Sequence, residues 1–149
     1  MMNFEIKHFN ELTVNEMYEI AKSRFEVFVC AQKTVEEQDF DDKDKECYHV
    51  MLKDRERIVA YSRILPKGLS YDHASIGRVL VLQSYRRKGI AQEMMKACIE
   101  FIKQNFDETS IIISAQLYVK SMYESVGFEV ISDVYDEVNI PHVKMKREL

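Results

Sequence analysis

Three features of this chain point to an α/β fold built on a mixed sheet. Apolar residues recur with two periods, alternating in some short segments and stepping by three or four in others. A nearly uninterrupted apolar run, Ile111-Ile112-Ile113-Ser114-Ala115, has the composition of a strand at the centre of a sheet. The longest helical pattern lies between two strand patterns, an order that implies a right-handed parallel crossover with antiparallel hairpins on either side.

The elements follow in order. Residues 4–9 alternate as a half-exposed strand. Val14, Met17, Tyr18, Ala21, Phe25 and Phe28 recur at helical spacing behind Thr13, a suitable amino-terminal cap. An acidic segment, 36–46, comes next. Residues 48–52 and 58–65 read as strands joined by the charged turn 54–57, a hairpin that ends at Pro66-Lys67-Gly68. Residues 75–82 form a further strand, in which Gly77 signals a bulge or a close backbone approach. A long amphipathic helix then buries Ile90, Met94, Ala97, Cys98, Phe101 and Ile102, its methionines read as core filler. After the central strand, a short helix over 119–125 ends at Gly127, a fitting carboxy-terminal cap. Residues 128–135 and 142–146 complete the set as strands.

With 149 residues, 4 Gly, 2 Pro and neither repeat nor linker, the chain is expected to form one domain over 1–149. Its 21 Lys+Arg against 25 Asp+Glu give a net charge of −4, which argues against a protein built to coat nucleic acid. No stretch approaches the roughly 18 apolar residues of a membrane span, and residues 1–5 lack a signal-peptide plan, so no membrane partner and a cytoplasmic location are expected. Cys30, Cys47 and Cys98 are odd in number and never in C-x-x-C; neither a zinc knuckle nor any other metal site is expected.

Chemistry concentrates after the third strand pattern, where Tyr85-Arg86-Arg87-Lys88-Gly89-Ile90-Ala91 leads into the long helix. Amides at a helix start point outward unpaired, and the dipole there favours anions. Three successive cations oppose that dipole, a conflict that a polyanionic ligand resolves; a solvated basic turn or a partner contact is the alternative. Gly89 admits a phosphate close to the backbone, and Ala91 keeps the next turn small. Neither G-x-G-x-x-G nor G-x-x-x-x-G-K-[ST] is present, which disfavours dinucleotide and Walker-type sites.

The pattern R-x-x-G-x-A at 86–91 resembles the acetyl-CoA motif of the GNAT superfamily of N-acetyltransferases. Tyr123-Glu124-Ser125-Val126-Gly127-Phe128 is similar to its Y-x-x-x-G-F signature, and 111–115 stands where its splayed strand lies. Arg24-Phe25-Glu26-Val27-Phe28-Val29, Ile76-Gly77-Arg78-Val79, Ala115-Gln116 and residues 135–142 narrow the resemblance to the ElaA-like branch, over essentially the whole chain. Cys30-Ala31-Gln32 and Val138-Asn139 depart from that branch, in place of a V-E-Q-like element and an Asp-Gly turn.

The resemblance implies a mixed, mostly antiparallel sheet with a central splayed parallel pair, flanked by helices. It also implies acetyl transfer from acetyl-CoA to a primary amine, small-molecule or peptide, by direct attack in a ternary complex. A non-catalytic acyl-CoA-binding regulatory or interaction domain is the alternative, and a homodimer fits the habit of this fold. The backbone of Leu80 and Val81 would pair with the pantetheine, with the Val81 amide polarising the thioester carbonyl. Amides of Arg87, Lys88, Gly89, Ile90 and Ala91 would cradle the pyrophosphate, with Arg86 and Lys88 adding charge. Tyr123 would protonate the departing thiolate, or else simply pack the short helix on the sheet. For the general base the candidates are Glu137, His142 and His49, each of which also has a structural reading. His8 and His73 read as surface residues. The acidic segment lacks the Gly and the Glu of an EF-hand, leaving a solvated loop or an acidic lip that attracts a cationic amine.

Overall fold

The computed structural model describes residues 2–149; Met1, where the signal-peptide reading begins, lies outside the described residues. The order is β1 (Glu5–His8), α1 (Val14–Arg24) continuing into a π-helical segment (Phe25–Ala31), β2 (Tyr48–Asp54), β3 (Arg57–Leu65), β4 (Ser75–Val81), α2 (Ile90–Asn105), β5 (Ser110–Gln116), α3 (Lys120–Ser125), β6 (Glu129–Val130), β7 (Tyr135–Glu137) and β8 (Ile140–Glu148). Strands β1-β2-β3-β4 form one antiparallel sheet; β5-β8-β6, with β7 also on β8, form the second. Among the described residues the two sheets meet through a single parallel bridge, Ala74 to Ile111, where the Ile112 amide donates to the Ala74 carbonyl at 3.0 Å. Beyond it β4 and β5 part, as the expected splayed pair does. No helix among the described residues is long and apolar enough to cross a membrane.

The main core lies between α2, α3 and both sheets, around Met94, Met95, Cys98, Ile102, Ile113 and Met145. Cys98 is inert there, its thiol pushed up to about 12 by burial. A second core sits under α1, around Ile20, Val27, Ile58 and Leu80.

Helix α1 starts as expected. Thr13 Oγ1 accepts the Glu16 amide at 3.0 Å and Glu16 Oε1 accepts the Thr13 amide at 2.9 Å, a closed capping box. Its apolar stripe, however, is not its buried face. Val14, Tyr18 and Phe25 are 90%, 64% and 56% exposed, whereas Glu16, Ile20, Ser23, Arg24 and Val27 are buried. The polar members are satisfied inside: Ser23 Oγ donates to the Ile58 carbonyl at 2.6 Å, and Glu16 takes Lys7 at 2.9 Å and Lys53 at 2.7 Å. Internal pairing, not carbon count, sets the rotation of this helix.

Two strands also differ from expectation. Residues 128–135 are not one strand: β6 stops at Val130, and Ser132 Oγ takes the Lys144 amide at 2.8 Å where the ladder would continue. The bulge signalled by Gly77 falls one residue later. Arg63 pairs with Gly77 and Tyr61 with Leu80, so Arg78 and Val79 oppose Ser62 alone, with Arg78 at φ 50°.

Candidate active site

A cleft of about 810 Å³ opens where β4 and β5 part. The second half of β4 and the loop before α2 form one wall; β5, α3 and the β7–β8 hairpin form the other. Of the residues expected in a site, Leu80, Val81, Arg86, Arg87, Gly89, Ala91, Tyr123, Glu137 and His142 line it together. Lys88 and Ile90 do not. Lys88 Nζ turns over the Tyr85 ring at 5.6 Å and Ile90 packs into the main core, so what they present to the loop is backbone.

The start of α2 is open. Gly89 is its cap residue at φ 75°, a left-handed conformation that suits glycine, and no side chain caps the helix. The Glu93 amide closes onto the Gly89 carbonyl at 3.1 Å, which leaves the amides of the first turn without intrahelical acceptors. Arg86, Arg87 and Lys88 are exposed and enter no ion pair among the described residues. The unpaired charges of Arg86 and Arg87, the free amides and the helix dipole converge on one spot, which suits a phosphate group.

Further along the wedge the pleat exposes a backbone edge. The Leu82 amide donates back to the Val59 carbonyl at 2.9 Å, so alternation turns Val81 the other way, toward the opening. There the Val81 carbonyl accepts Arg86 Nε at 2.9 Å. Across the cleft Tyr123 is buried, edge-on to Phe128 at 6.0 Å, and its hydroxyl makes no hydrogen bond among the described residues. Burial raises its phenol above the ordinary range, with smaller contributions from Cys98 and Tyr118. It both packs α3 and presents a protonated hydroxyl.

At the far end, His142 Nδ1 donates to the Ile140 carbonyl at 2.7 Å, leaving Nε2 to face Glu137 Oε2 at 3.6 Å. Ser114 Oγ holds the other oxygen of Glu137 at 3.2 Å. His49 is elsewhere. It is fully buried between Tyr61 Oη (2.6 Å) and the Asp44 carbonyl (2.9 Å), and burial lowers its pKa, so it borders no cleft. His73 is not a free surface residue either: its Nδ1 meets Glu108 Oε1 at 2.8 Å. His8 caps the turn after β1, its Nδ1 accepting the Asn10 amide at 3.3 Å.

The acidic segment is solvated at Glu36, Glu37, Gln38, Asp42, Lys45 and Glu46, but three arginines meet Asp39, Asp41 and Asp44. Arg24 Nη1 binds Asp44 at 2.7 Å and its Nε binds Asp39 at 3.1 Å; Arg63 Nη1 bridges Asp41 at 2.7 Å and Asp44 at 3.0 Å; Arg78 Nε reaches Asp39 at 3.1 Å. The Arg24 guanidinium also stacks on Phe40, 4.1 Å from the ring centre. Burial raises the Asp41 carboxyl, but the hydrogen bond and charge of Arg63 outweigh it and hold the group at about 2. Asp44 is lowered on the same balance, against burial and toward Arg24. Arg24 and Arg78 were legible only as parts of the branch-specific segments 24–29 and 76–79; their partners were not. Gln32, from a departing segment, forms a reciprocal amide pair with Gln116 across the cleft at 3.1 and 3.3 Å. At the other departure, Val138 and Asn139 make the tight turn of the β7–β8 hairpin, both at positive φ.

The acetyltransferase (GNAT) domain family matches residues 8–149. A UPF0039 protein of Schizosaccharomyces pombe is 38% identical over 150 residues, covering 99% of this chain and 98% of its own. The crystal structure of Escherichia coli ElaA, 30% identical, superposes with a TM-score of 0.90 over 99% of this chain and 100% of that one. An acyl-CoA N-acyltransferase from Pseudomonas aeruginosa, also 30% identical, gives 0.88 over 98% and 99%. Matched over residues 8–149 by the family and over 98–99% of its length by these relatives and folds, the chain belongs to the GNAT acetyltransferase family, among the homologues of ElaA.

Proposed function

We propose that this chain is an N-acetyltransferase that moves an acetyl group from acetyl-CoA to a primary amine by direct attack in a ternary complex. One observation carries the reading. A single cleft joins an uncapped, cation-rich helix start to a protonated phenol and, beyond it, a His–Glu pair. In this reading the loop from Arg86 to Ala91 holds the pyrophosphate, and Leu80 and Val81 align the pantetheine. The Val81 amide, aimed into the wedge, polarises the thioester carbonyl as negative charge develops on its oxygen. An ammonium at the apex between His142 Nε2 and Glu137 Oε2 hydrogen-bonds to both and gives up one proton to the pair. The neutral amine then attacks the carbonyl carbon, and the C–S bond breaks. Tyr123 gives its proton to the departing thiolate, whose conjugate thiol has an ordinary pKa of about 8.5, and CoA-SH leaves; the second proton, shed by the attacking nitrogen as the amide forms, returns to the Tyr123 phenolate.

The acceptor is a small-molecule or peptide amine, and the site of action is cytoplasmic. Thiol release from acetyl-CoA in a panel of amino acids, polyamines and lysine peptides tests the activity. CoA binding without turnover of any of them favours a non-catalytic acyl-CoA-binding module instead. Tyr123→Phe is expected to lower kcat about 100-fold while leaving the KM for acetyl-CoA near that of the parent. Full turnover by that variant removes Tyr123 from the mechanism.

A further inference from the structure

We propose that Ser114, Tyr135 and Lys144 form a hydrogen-bonded relay that positions Glu137 for its work with His142. The proposal rests on the base assignment above and adds three positioning residues to it. Residues 114 and 116, 135 and 137, and 142 and 144 are each spaced by two on β5, β7 and β8. Ser114 is the cross-strand partner of Lys144, Gln116 of His142, and His142 also of Tyr135. The pleat therefore stands all six side chains on one face of the second sheet, the face that borders the cleft.

The contacts along that face are continuous. Lys144 Nζ donates to Tyr135 Oη at 2.9 Å and lies over the rings of Tyr135 and Tyr71, at 4.5 and 5.4 Å. Tyr135 Oη is hydrogen-bonded to Ser114 Oγ, and Ser114 Oγ bonds Glu137 Oε1 at 3.2 Å. Its two ends fix the direction of the chain. An ammonium only donates and a carboxylate only accepts, so Tyr135 gives its proton to Ser114 and Ser114 gives its own to Glu137. Every donor points toward Glu137, with a cation at the far end. The array holds the carboxylate in one rotamer, with Oε1 occupied and Oε2 turned toward His142 Nε2. The charged and titratable groups around Glu137 are thus His142 and Lys144 on β8 and Tyr135 on β7; β5 offers only neutral Ser114 and Gln116. Asn139 brings Glu36 to the same rim at 3.4 Å.

A double-mutant cycle separates this role from packing, read as kcat with acetyl-CoA and the fastest amine of the panel. Ser114→Ala is expected to lower kcat about tenfold, the worth of one hydrogen bond to a charged group, with the KM for acetyl-CoA unchanged. Tyr135→Phe should lower it by less, and Ser114→Thr should restore it. In a Glu137→Gln background, Ser114→Ala and Tyr135→Phe are expected to have no further effect, since they act through Glu137. An equal loss in both backgrounds, or parental kcat in both single variants, overturns the relay while the base assignment stands. Parental kcat in Glu137→Gln alone, or no turnover of any amine by the parent, overturns the base assignment and the relay with it.

Discussion

Arg86, Arg87 and Lys88, in the loop before α2, are exposed and outside any ion pair among the described residues, whereas Arg24, Arg63 and Arg78 are locked to Asp39, Asp41 and Asp44. Each group is three cations, but they do opposite work. The first opposes the dipole of α2 and is left uncompensated, so its charge is available to a ligand. The second is three positive charges against three negative ones, largely removed from water. It ties the segment between α1 and β2 to the sheet and leaves little net field for an acceptor to sense. In the proposed reading the unpaired basic run in a loop serves binding, whereas scattered arginines that converge on carboxylates serve architecture.

The largest effect expected is at Arg24, which is 0% exposed. Replacing it with Met takes from Asp39 and Asp44 their most buried partner and leaves only Arg78 and Arg63 to hold them; removing one member of a buried pair costs about 3–5 kcal/mol. Urea unfolding should show that loss, and the Tm should fall by roughly 10 °C. The double variant Arg86→Glu, Arg87→Glu should leave the Tm close to that of the parent and raise the KM for acetyl-CoA about 100-fold, with a flatter dependence on salt. If the loop variant unfolds as early as Arg24→Met, the distinction between the two cation groups is lost.

Acid sharpens the same contrast. Asp41 has a folded pKa of about 2 against an ordinary 3.8, and Asp44 is lowered too. A depressed carboxylate contributes stability that is fully present above the unfolded pKa and lost as pH falls through the folded one. Urea midpoints should therefore hold down to about pH 4 and decline from there toward pH 2. Arg63→Met should flatten that decline, because without the guanidinium Asp41 titrates near its unfolded value. Glu16, held at about 2 against burial by Lys53, Thr13 and Lys7, titrates in the same window and, with Asp44 still held down by Arg24, supplies the part of the slope that Arg63→Met leaves.

The local signals were the legible ones. Thr13 as a cap, the β2–β3 hairpin, the α2 stripe and the open turn at Gly89 all depend on residues close in sequence, and each stands where periodicity or turn chemistry placed it. The parted β4 and β5 followed from the resemblance rather than from spacing. The long-range polar pairs were hidden. Nothing near Arg24 in the chain indicates that Asp39 and Asp44 fold back onto it, so α1 was oriented by its carbons and its true inner face was missed. His49 stands among the base candidates for the same reason, since its partner Tyr61 lies across the hairpin and comes into reach only through the strand register. Ser114, read as a polar interruption in an apolar strand, gains its meaning from β7 and β8.

The smallest effect lies inside the acidic segment itself. Asp41 and Asp42 are neighbours with like charge, and an acidic lip would use both. Asp41 is bonded by Arg63, but the Asp42 side chain is 93% exposed and only approaches Lys45, at 3.7 Å. Its backbone is left-handed, with φ 67°, a conformation that Asn tolerates and Ala does not. Asp42→Asn therefore removes the charge without disturbing the turn. The Tm should stay within about 1–2 °C, as for other surface changes, and the KM of every amine in the panel should be unaltered. Asp41→Asn, one residue away, should lower the Tm measurably because it leaves Arg63 short of an acceptor. Weaker binding of polyamines to Asp42→Asn, with the Tm unchanged, would restore the lip and assign the segment to the acceptor rather than to the architecture.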